Sequence, residues 1–368
     1  MNSEKWEMVK LGDVCTKGGS NIAQKDLGNR NGEYPIYGAG GLIKSVDFHK
    51  QSKAYIAIVK DGAGIGRTMI LPEKSSVIGT MQYIFPNDNI DIRYLYYAIL
   101  KMNLSKYFSG ATIPHIYFKD YRNENVWLPP IKVQKQIADE LDKITGLIEK
   151  RKEQLEKLDV LVKSRFIEMF GDPVVNPYGY PKVALSELAD IKIGPFGSLL
   201  HKDEYIKDGY PLINPSHIID DKICPDSNLT ISFSKYQELV SYHLKKNDVI
   251  LGRRGEMGRC AVVNEDNLLC GTGSILIRSK GSVTADYIQK IISFPTFKNS
   301  IEDLAVGQTM PNLNVPIVSN FQMILVPIDI QEQYYSFVEQ VDKSKFEIKQ
   351  SLEKLETLKK ALMQEYFG

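Results

Sequence analysis

The residues best placed to do chemistry form a glycine-rich stretch, Gly62-Ala63-Gly64-Ile65-Gly66-Arg67, after the strand-like run at residues 54–59 (AYIAIV). Glycines after a strand can bring backbone N–H groups against a phosphate or against S-adenosylmethionine. Such a loop should open a helix, yet residues 68–71 are β-like and stop at Pro72. A second reading is a hairpin turn that uses glycine's access to positive φ. A third is a loop that presents Arg67 to DNA. A related stretch, residues 253–259 (RRGEMGR), keeps only part of the glycine pattern but adds Arg253, Arg254 and Arg259.

Other catalytic patterns are missing. A DNA amino-methyltransferase would carry Asn/Asp-Pro-Pro-aromatic. Asn176-Pro177-Tyr178 lacks one proline and follows a helix terminator, so it reads as a turn. There is no Ser-His-Asp arrangement and no phosphate-binding lysine loop. Cys15, Cys224, Cys260 and Cys270 with five histidines give no zinc spacing. The expectation is a non-catalytic chain with reduced thiols and no metal.

The 368 residues allow two domains of ordinary size, and 43% hydrophobic with 25% charged residues is a globular composition. No apolar run approaches the ~20 residues of a membrane helix, and the opening residues lack an apolar signal core. A cytoplasmic protein without membrane contact is expected. Net charge is only +1, so any nucleic-acid-binding face must be local.

What positions these residues is a repeat. The chain ends LEKLETLKKALMQEYFG and reads LEKLDVLVKSRFIEMFG mid-chain, with Gly368 and Gly171 separated by 197 positions. The same offset relates GQTMP (307–311) to GATIP (110–114), and ILVPIDIQEQ (324–333) to WLPPIKVQKQ (127–136). Upstream the offset drifts: Gly66-Arg67 faces Gly258-Arg259 at 192 and Val9 faces Val183 at 174. Each half therefore has a part that took insertions, followed by a part that did not.

The constant parts read as helices. Ile137, Leu141, Ile144, Ile148, Leu155, Leu158 and Val162 form a heptad seam, continued by Met169. The second copy gives Tyr334, Val338, Val341, Ile348, Leu352, Leu355, Leu362 and Tyr366. The first seam is broken by Arg151 and Arg165, the second by Lys345 and Lys359, and the breaks do not coincide. The two helices can therefore pack together, with each basic stem along a partner's apolar side chains. About 35 residues each gives about 50 Å. Pro130 to Gln134 and Pro327 to Gln331 mark the starts.

Four segments follow: a globular domain at 1–130, a helical spacer at 131–171, a second globular domain at 172–327 and a second helical spacer at 328–368. The fold class is α+β. Two mixed, β-rich domains are separated by two long helices packed as a coiled coil, with a pseudo-two-fold internal repeat.

Taken together, the chain resembles the specificity subunits of type I restriction–modification systems over essentially its whole length. The residues that carry the likeness are 6–13 (WEMVKLGD), 34–41 (YPIYGAGG), 194–198 (GPFGS) and 247–258 (NDVILGRRGEMG), with the duplicated Gly-x-Thr-x-Pro and Pro-x-x-x-Gln signals. The resemblance implies two target-recognition domains, each reading half of a split site on double-stranded DNA. It also implies an antiparallel helix pair whose seam residues dock two methyltransferase subunits, and room for a nuclease-translocase subunit. S-adenosylmethionine would sit on the methyltransferase, with no cofactor on this chain. Half-sites on one face of B-DNA lie ~34 Å apart or a multiple of that, a distance a helical spacer can fix. Arginine favours guanine edges, and Asn or Gln favours adenine. The base-reading candidates are Lys60, Arg67, Gln82, His115 and Lys119 in the first domain. In the second they are Arg253, Arg254, Arg259, Ser274, Gln308 and Asn312. GATIP and GQTMP, nearly the same in both halves, read as scaffold.

Overall fold

A computed structural model describes residues 6–110, 113–256, 258–304 and 312–368. The chain forms two compact units, Met1–Leu155 with Glu347–Gly368, and Glu156–Phe346.

In the first unit a four-stranded antiparallel sheet runs in the order Cys15–Gly19, Met81–Pro86, Tyr55–Val59, Thr68–Leu71. Tyr55–Val59 is buried along its whole length, as its unbroken apolar run demands of a central strand. Helix Ile92–Met102 is capped by Asp91, whose carboxylate accepts from the Arg93 N–H at 2.9 Å. It buries Tyr94, Leu95, Ala98 and Ile99 against Ile56, Ile58 and Ile84. A smaller sheet joins Gly41–Val46, Tyr34–Gly38 and Ser76–Val77, the last pair parallel. Glu7–Lys10 pairs with Asn125–Leu128 where the chain leaves the domain.

The second unit repeats this plan. Its sheet runs Ala189–Ile193, Ser274–Ser279, Asp248–Gly252, Cys260–Val262. Helix Ala285–Ser293 is capped by Thr284, and Lys182–Ala184 pairs with Gln322–Ile324. Tyr210–Ile213 runs parallel to Leu268–Cys270, as Tyr34–Gly38 does to Ser76–Val77. The insertions inferred from the drifting offset widen this smaller sheet to five strands and add helix Phe233–Glu238.

The glycine-rich stretch is the hairpin between Tyr55–Val59 and Thr68–Leu71. Gly66 has φ +81, and a Cβ there would lie 2.8 Å from the Ser105 backbone nitrogen. Gly258 has φ +74, and its Cβ would lie 2.9 Å from the Ile292 carbonyl oxygen. The repeated glycine thus marks a close approach of the hairpin to the 3-10 turn Leu104–Tyr107 in the first unit and to helix Ala285–Ser293 in the second.

The long helices are Ile131–Phe170 and Ile328–Phe367, 40 residues each, about 60 Å and so longer than the heptads alone required. They pair antiparallel. Within the first unit Tyr366 Oη donates to Glu140 at 2.7 Å, and Lys152 meets Glu356 at 3.2 Å. Within the second, Lys345 meets Asp159 at 2.5 Å, and Tyr334 Oη donates to the Val162 carbonyl at 3.3 Å. Ile137, Leu141, Ile144, Ile148, Val341 and Tyr366 are buried, whereas Leu155, Leu158, Ile348, Leu352 and Leu355 are half-buried.

Of the seam breakers, Arg165 lies over the Phe337 ring at 6.0 Å, as expected of a stem against the partner helix. Lys359 differs: it lies over Tyr97, on the globular domain's helix, at 5.9 Å. Arg151 bonds Gln154 of its own helix at 2.8 Å.

Each Pro-x-x-x-Gln signal is a buried latch. Gln134 accepts from the Asp91 N–H at 2.8 Å and donates to the Asn89 and Pro129 carbonyls at 3.1 and 2.8 Å. Gln331 accepts from the Thr284 N–H at 2.9 Å and donates to the Val326 carbonyl at 2.8 Å. Both glutamines are fully buried, so each amide ties the start of a long helix to the cap of its domain's own helix. All four cysteines are free thiols, with Cys224 alone exposed. No helix is long and apolar enough to cross a membrane.

Candidate nucleic-acid interface

Lys60 is the first residue beyond the central strand of the first unit. Its N–H donates to the Thr80 carbonyl at 2.9 Å, and its own carbonyl accepts from the Ile116 N–H at 2.9 Å. These bonds hold it beside a cavity of about 400 Å³ lined by Lys17, Lys60, Gln82, Tyr117, Lys119 and Arg122, among others. Lys119 sits over the exposed Tyr117 ring at 5.3 Å, and the His115 ring stacks on the same tyrosine with centroids 6.3 Å apart. Asp61 meets Lys60 at 3.1 Å and His115 Nδ1 at 2.7 Å. Four cations around one shallow cavity, with an exposed aromatic face, make a surface suited to a polyanion.

Three of the five expected base readers, Lys60, Gln82 and Lys119, thus line one cavity, and His115 adjoins it. Gln82 is only 1% exposed and donates to the Tyr121 hydroxyl. Its amide serves the fold, which corrects its reading as a base contact. Arg67 stands apart, its Nη1 donating to the Ala39 carbonyl at 2.6 Å. Lys17 and Arg122 were missed: each is a single basic residue in an unremarkable stretch, and only the folded sheet brings them together.

In the second unit Arg253 occupies the place of Lys60. Its N–H donates to the Gly273 carbonyl at 3.0 Å, and its carbonyl accepts from the Leu313 N–H at 2.9 Å. Its Nε donates to Asn312 Oδ1 at 3.0 Å. Burial, then repulsion from Arg254, pulls the Arg253 guanidinium below its ordinary pKa. Arg254 forms a bridge with Asn312 and is exposed.

Ser274 is fully buried and donates to the Ile213 carbonyl at 2.8 Å, so its hydroxyl is spent on the scaffold and the expectation that it reads a base is corrected. Arg259 meets Glu256 at 2.8 Å and lines a different cavity, of about 740 Å³, with Lys298, Asp220 and Asp221. Arg259 and then Lys298 hold the Glu256 carboxyl below its usual range. Arg259 also reaches the Pro215 carbonyl at 3.4 Å, as Arg67 reaches Ala39, in each case just beyond the smaller sheet's parallel strand. This shared clamp explains why the Gly-Arg repeats in both halves. Gln308 lies outside the described residues.

The seam residues Val162, Val338 and Leu362 are half-buried and pack against the globular cores. The large apolar side chains left exposed on the long helices are others: Ile131 and Ile328 at the helix starts, 42% and 39% exposed, and Leu147, Val160, Leu161, Ile167, Phe346 and Leu358 further along, from 46% to 62% exposed. No cluster of His, Cys, Asp and Glu among the described residues is arranged to hold a metal ion.

Comparison with known proteins adds independent findings. Residues 3–157 and 177–360 match the family model described as type I restriction modification DNA specificity domain. The MjaVIII type I restriction enzyme specificity subunit of Methanocaldococcus jannaschii is 25% identical, over 98% of this chain and 91% of its own length. The crystal structure of a type I restriction–modification S subunit from M. genitalium superposes with a TM-score of 0.65 at 15% identity, covering 99% of this chain and 96% of that one. A chain from a study of complex assembly and conformational transition in the type I system gives 0.60 at 16% identity, covering 98% and 97%.

Proposed function

The chain belongs to the family of type I restriction–modification DNA specificity subunits, and we propose that it reads a split double-stranded DNA target, one half with each compact unit, while methyltransferase subunits supply the chemistry. The observation that carries this reading is the repeat. The same four-stranded sheet, capped helix and glutamine latch occur twice, yet the side chains beyond the central strand differ: Lys60 and Asp61 in one unit, Arg253 and Arg254 in the other. A scaffold kept while its presented side chains change is what two readers of different sequences require.

The near-neutral net charge fits a chain that shares electrostatic work with partners. The exposed Leu147, Val160, Leu161, Ile167, Phe346 and Leu358 are suited to docking methyltransferase subunits, two on a pseudo-symmetric helix pair. The seam residues serve that docking indirectly, by holding the pair together. S-adenosylmethionine then binds on the methyltransferase, this chain is itself non-catalytic, and a nuclease-translocase subunit can join the complex.

The test is methylation sequencing of DNA from cells carrying this chain with its methyltransferase subunit, against cells lacking the chain. An asymmetric two-part motif with an unspecified gap should appear only when the chain is present. Modification that is absent, or unchanged without the chain, would overturn the reading.

A further inference from the structure

The two units can be aligned by their own hydrogen bonds, without reference to sequence identity. Lys60 and Arg253 each donate an N–H to the loop before the neighbouring strand, at Thr80 and Gly273, and each accepts from the segment that returns to the sheet, at Ile116 and Leu313. The next residue bridges that returning segment in both units, Asp61 to His115 and Arg254 to Asn312. Three positions are therefore equivalent in backbone: Lys60 with Arg253, Asp61 with Arg254, and His115 with Asn312. At all three the side chains differ, whereas Arg67 and Arg259, which clamp a loop, are the same.

The chemistry at the middle position is opposite in sign. Asp61 is held by Lys60 and His115 at 3.1 and 2.7 Å, so its charge is met within the unit. Arg254 is exposed, and its side chain makes no ion pair among the described residues. Arg253, which Asn312 holds through Nε at 3.0 Å, stands beside it and repels it. A free guanidinium on a fixed backbone offers the two parallel donors that match guanine O6 and N7. A paired aspartate at the same place offers none.

We infer that Arg254, at the position after the central-strand cation of the second unit, determines base specificity by reading a guanine in that unit's half-site. The inference rests on the split-target reading above. Phosphate contact is the competing role for an exposed arginine, and the two differ in what they discriminate. A base contact changes the ratio of affinities between sequences, whereas a phosphate contact lowers all affinities together.

The experiment uses the full chain assembled with its methyltransferase subunits. The wild-type motif is first read by methylation sequencing; if no split motif appears, the functional reading fails before this inference is tested. With the motif known, binding is measured on oligonucleotides in which each guanine of the two half-sites is replaced in turn. For wild type, one guanine in one half should matter by roughly 5- to 150-fold. For R254A and R254Q that ratio should fall to near one, while the ratios in the other half stay unchanged. R254K, which keeps charge but not the planar pair of donors, should retain general affinity and lose most of the discrimination. Equal weakening on every oligonucleotide, or ratios unchanged in all three variants, overturns the inference. Thermal unfolding at the wild-type temperature identifies variants that are folded and therefore count.

Discussion

At the far end of the central strand the two units solve one packing problem in opposite ways. In the second unit Asp248 faces Arg278 across the sheet, and the guanidinium makes two bonds to the carboxylate, at 2.7 and 2.6 Å. In the first unit the register of Ile56 with Ile84 sets Tyr55 opposite Phe85, with ring centroids 6.4 Å apart. An ion pair and an aromatic pair thus serve as the same cross-strand neighbours. They do not fail alike, because an aromatic pair loses only contact, whereas half an ion pair leaves a charge in a poorly solvated place. Asp248 also accepts from the Lys245 N–H at 2.7 Å, so three bonds converge on a carboxylate whose side chain is 2% exposed.

The comparison is tested most severely by D248A. It should cost about 3 kcal/mol, near the low end for a broken buried pair because Arg278 keeps about a third of its side chain in water. Y55F in the other unit removes only the hydroxyl bond to Ser75 Oγ, 2.9 Å long, and should cost about 1 kcal/mol. Denaturant unfolding of both variants gives the difference directly. Equal losses would mean that breaking the ion pair costs no more than losing one neutral hydroxyl bond while the aromatic pair stays in place.

A smaller contrast separates the two glutamine latches. Gln134 makes three hydrogen bonds to backbone groups and Gln331 two, one of them buried in each case. Replacement by leucine orphans those groups, so Q134L should cost about 2–3 kcal/mol and Q331L about 1–2. Hydrogen exchange should show the loss concentrated at the Asp91 amide in the first case and at the Thr284 amide in the second. If both amides stayed protected, the latch would not be what holds helix to domain.

These latches also mark how far the sequence could be read. Pro130 to Gln134 and Pro327 to Gln331 were visible as helix starts because proline spacing is local information. The reason for glutamine was not, since the capped amides it accepts from, Asp91 and Thr284, lie more than 40 positions away. Packing of the two long helices on each other was legible from seam breaks that do not coincide, their antiparallel sense came with the family resemblance, and α+β was legible from strand-length runs beside heptads. Lys359 broke the expectation because its neighbour Tyr97 belongs to the globular domain, and heptad reasoning sees only helix against helix. For the site, Lys60, Arg253 and Arg254 stood out by charge near glycine turns. Gln82 and Ser274 were candidates by residue type, yet the second strand of each sheet buries them. Side-chain direction on a strand is fixed by register, and register was not readable from residue type.

The mildest prediction concerns the basic cavity of the first unit. Lys17 lies opposite Ile84 on that sheet, and the residue opposite Ile277 in the second is Ile191. The cation is thus replaced by an apolar side chain at the corresponding place. If Lys17 neutralises a phosphate, K17A should weaken binding about equally on all sequences and lower the slope of log affinity against log salt by about 0.9. I191K, adding a cation at the matching position, should raise that slope by a similar amount if the second unit meets the backbone in the same way. A changed recognition motif in K17A would instead assign the cavity to base reading. The units would then divide the labour of recognition differently, with the first relying on the lysines around its cavity and the second on the arginines beyond its central strand.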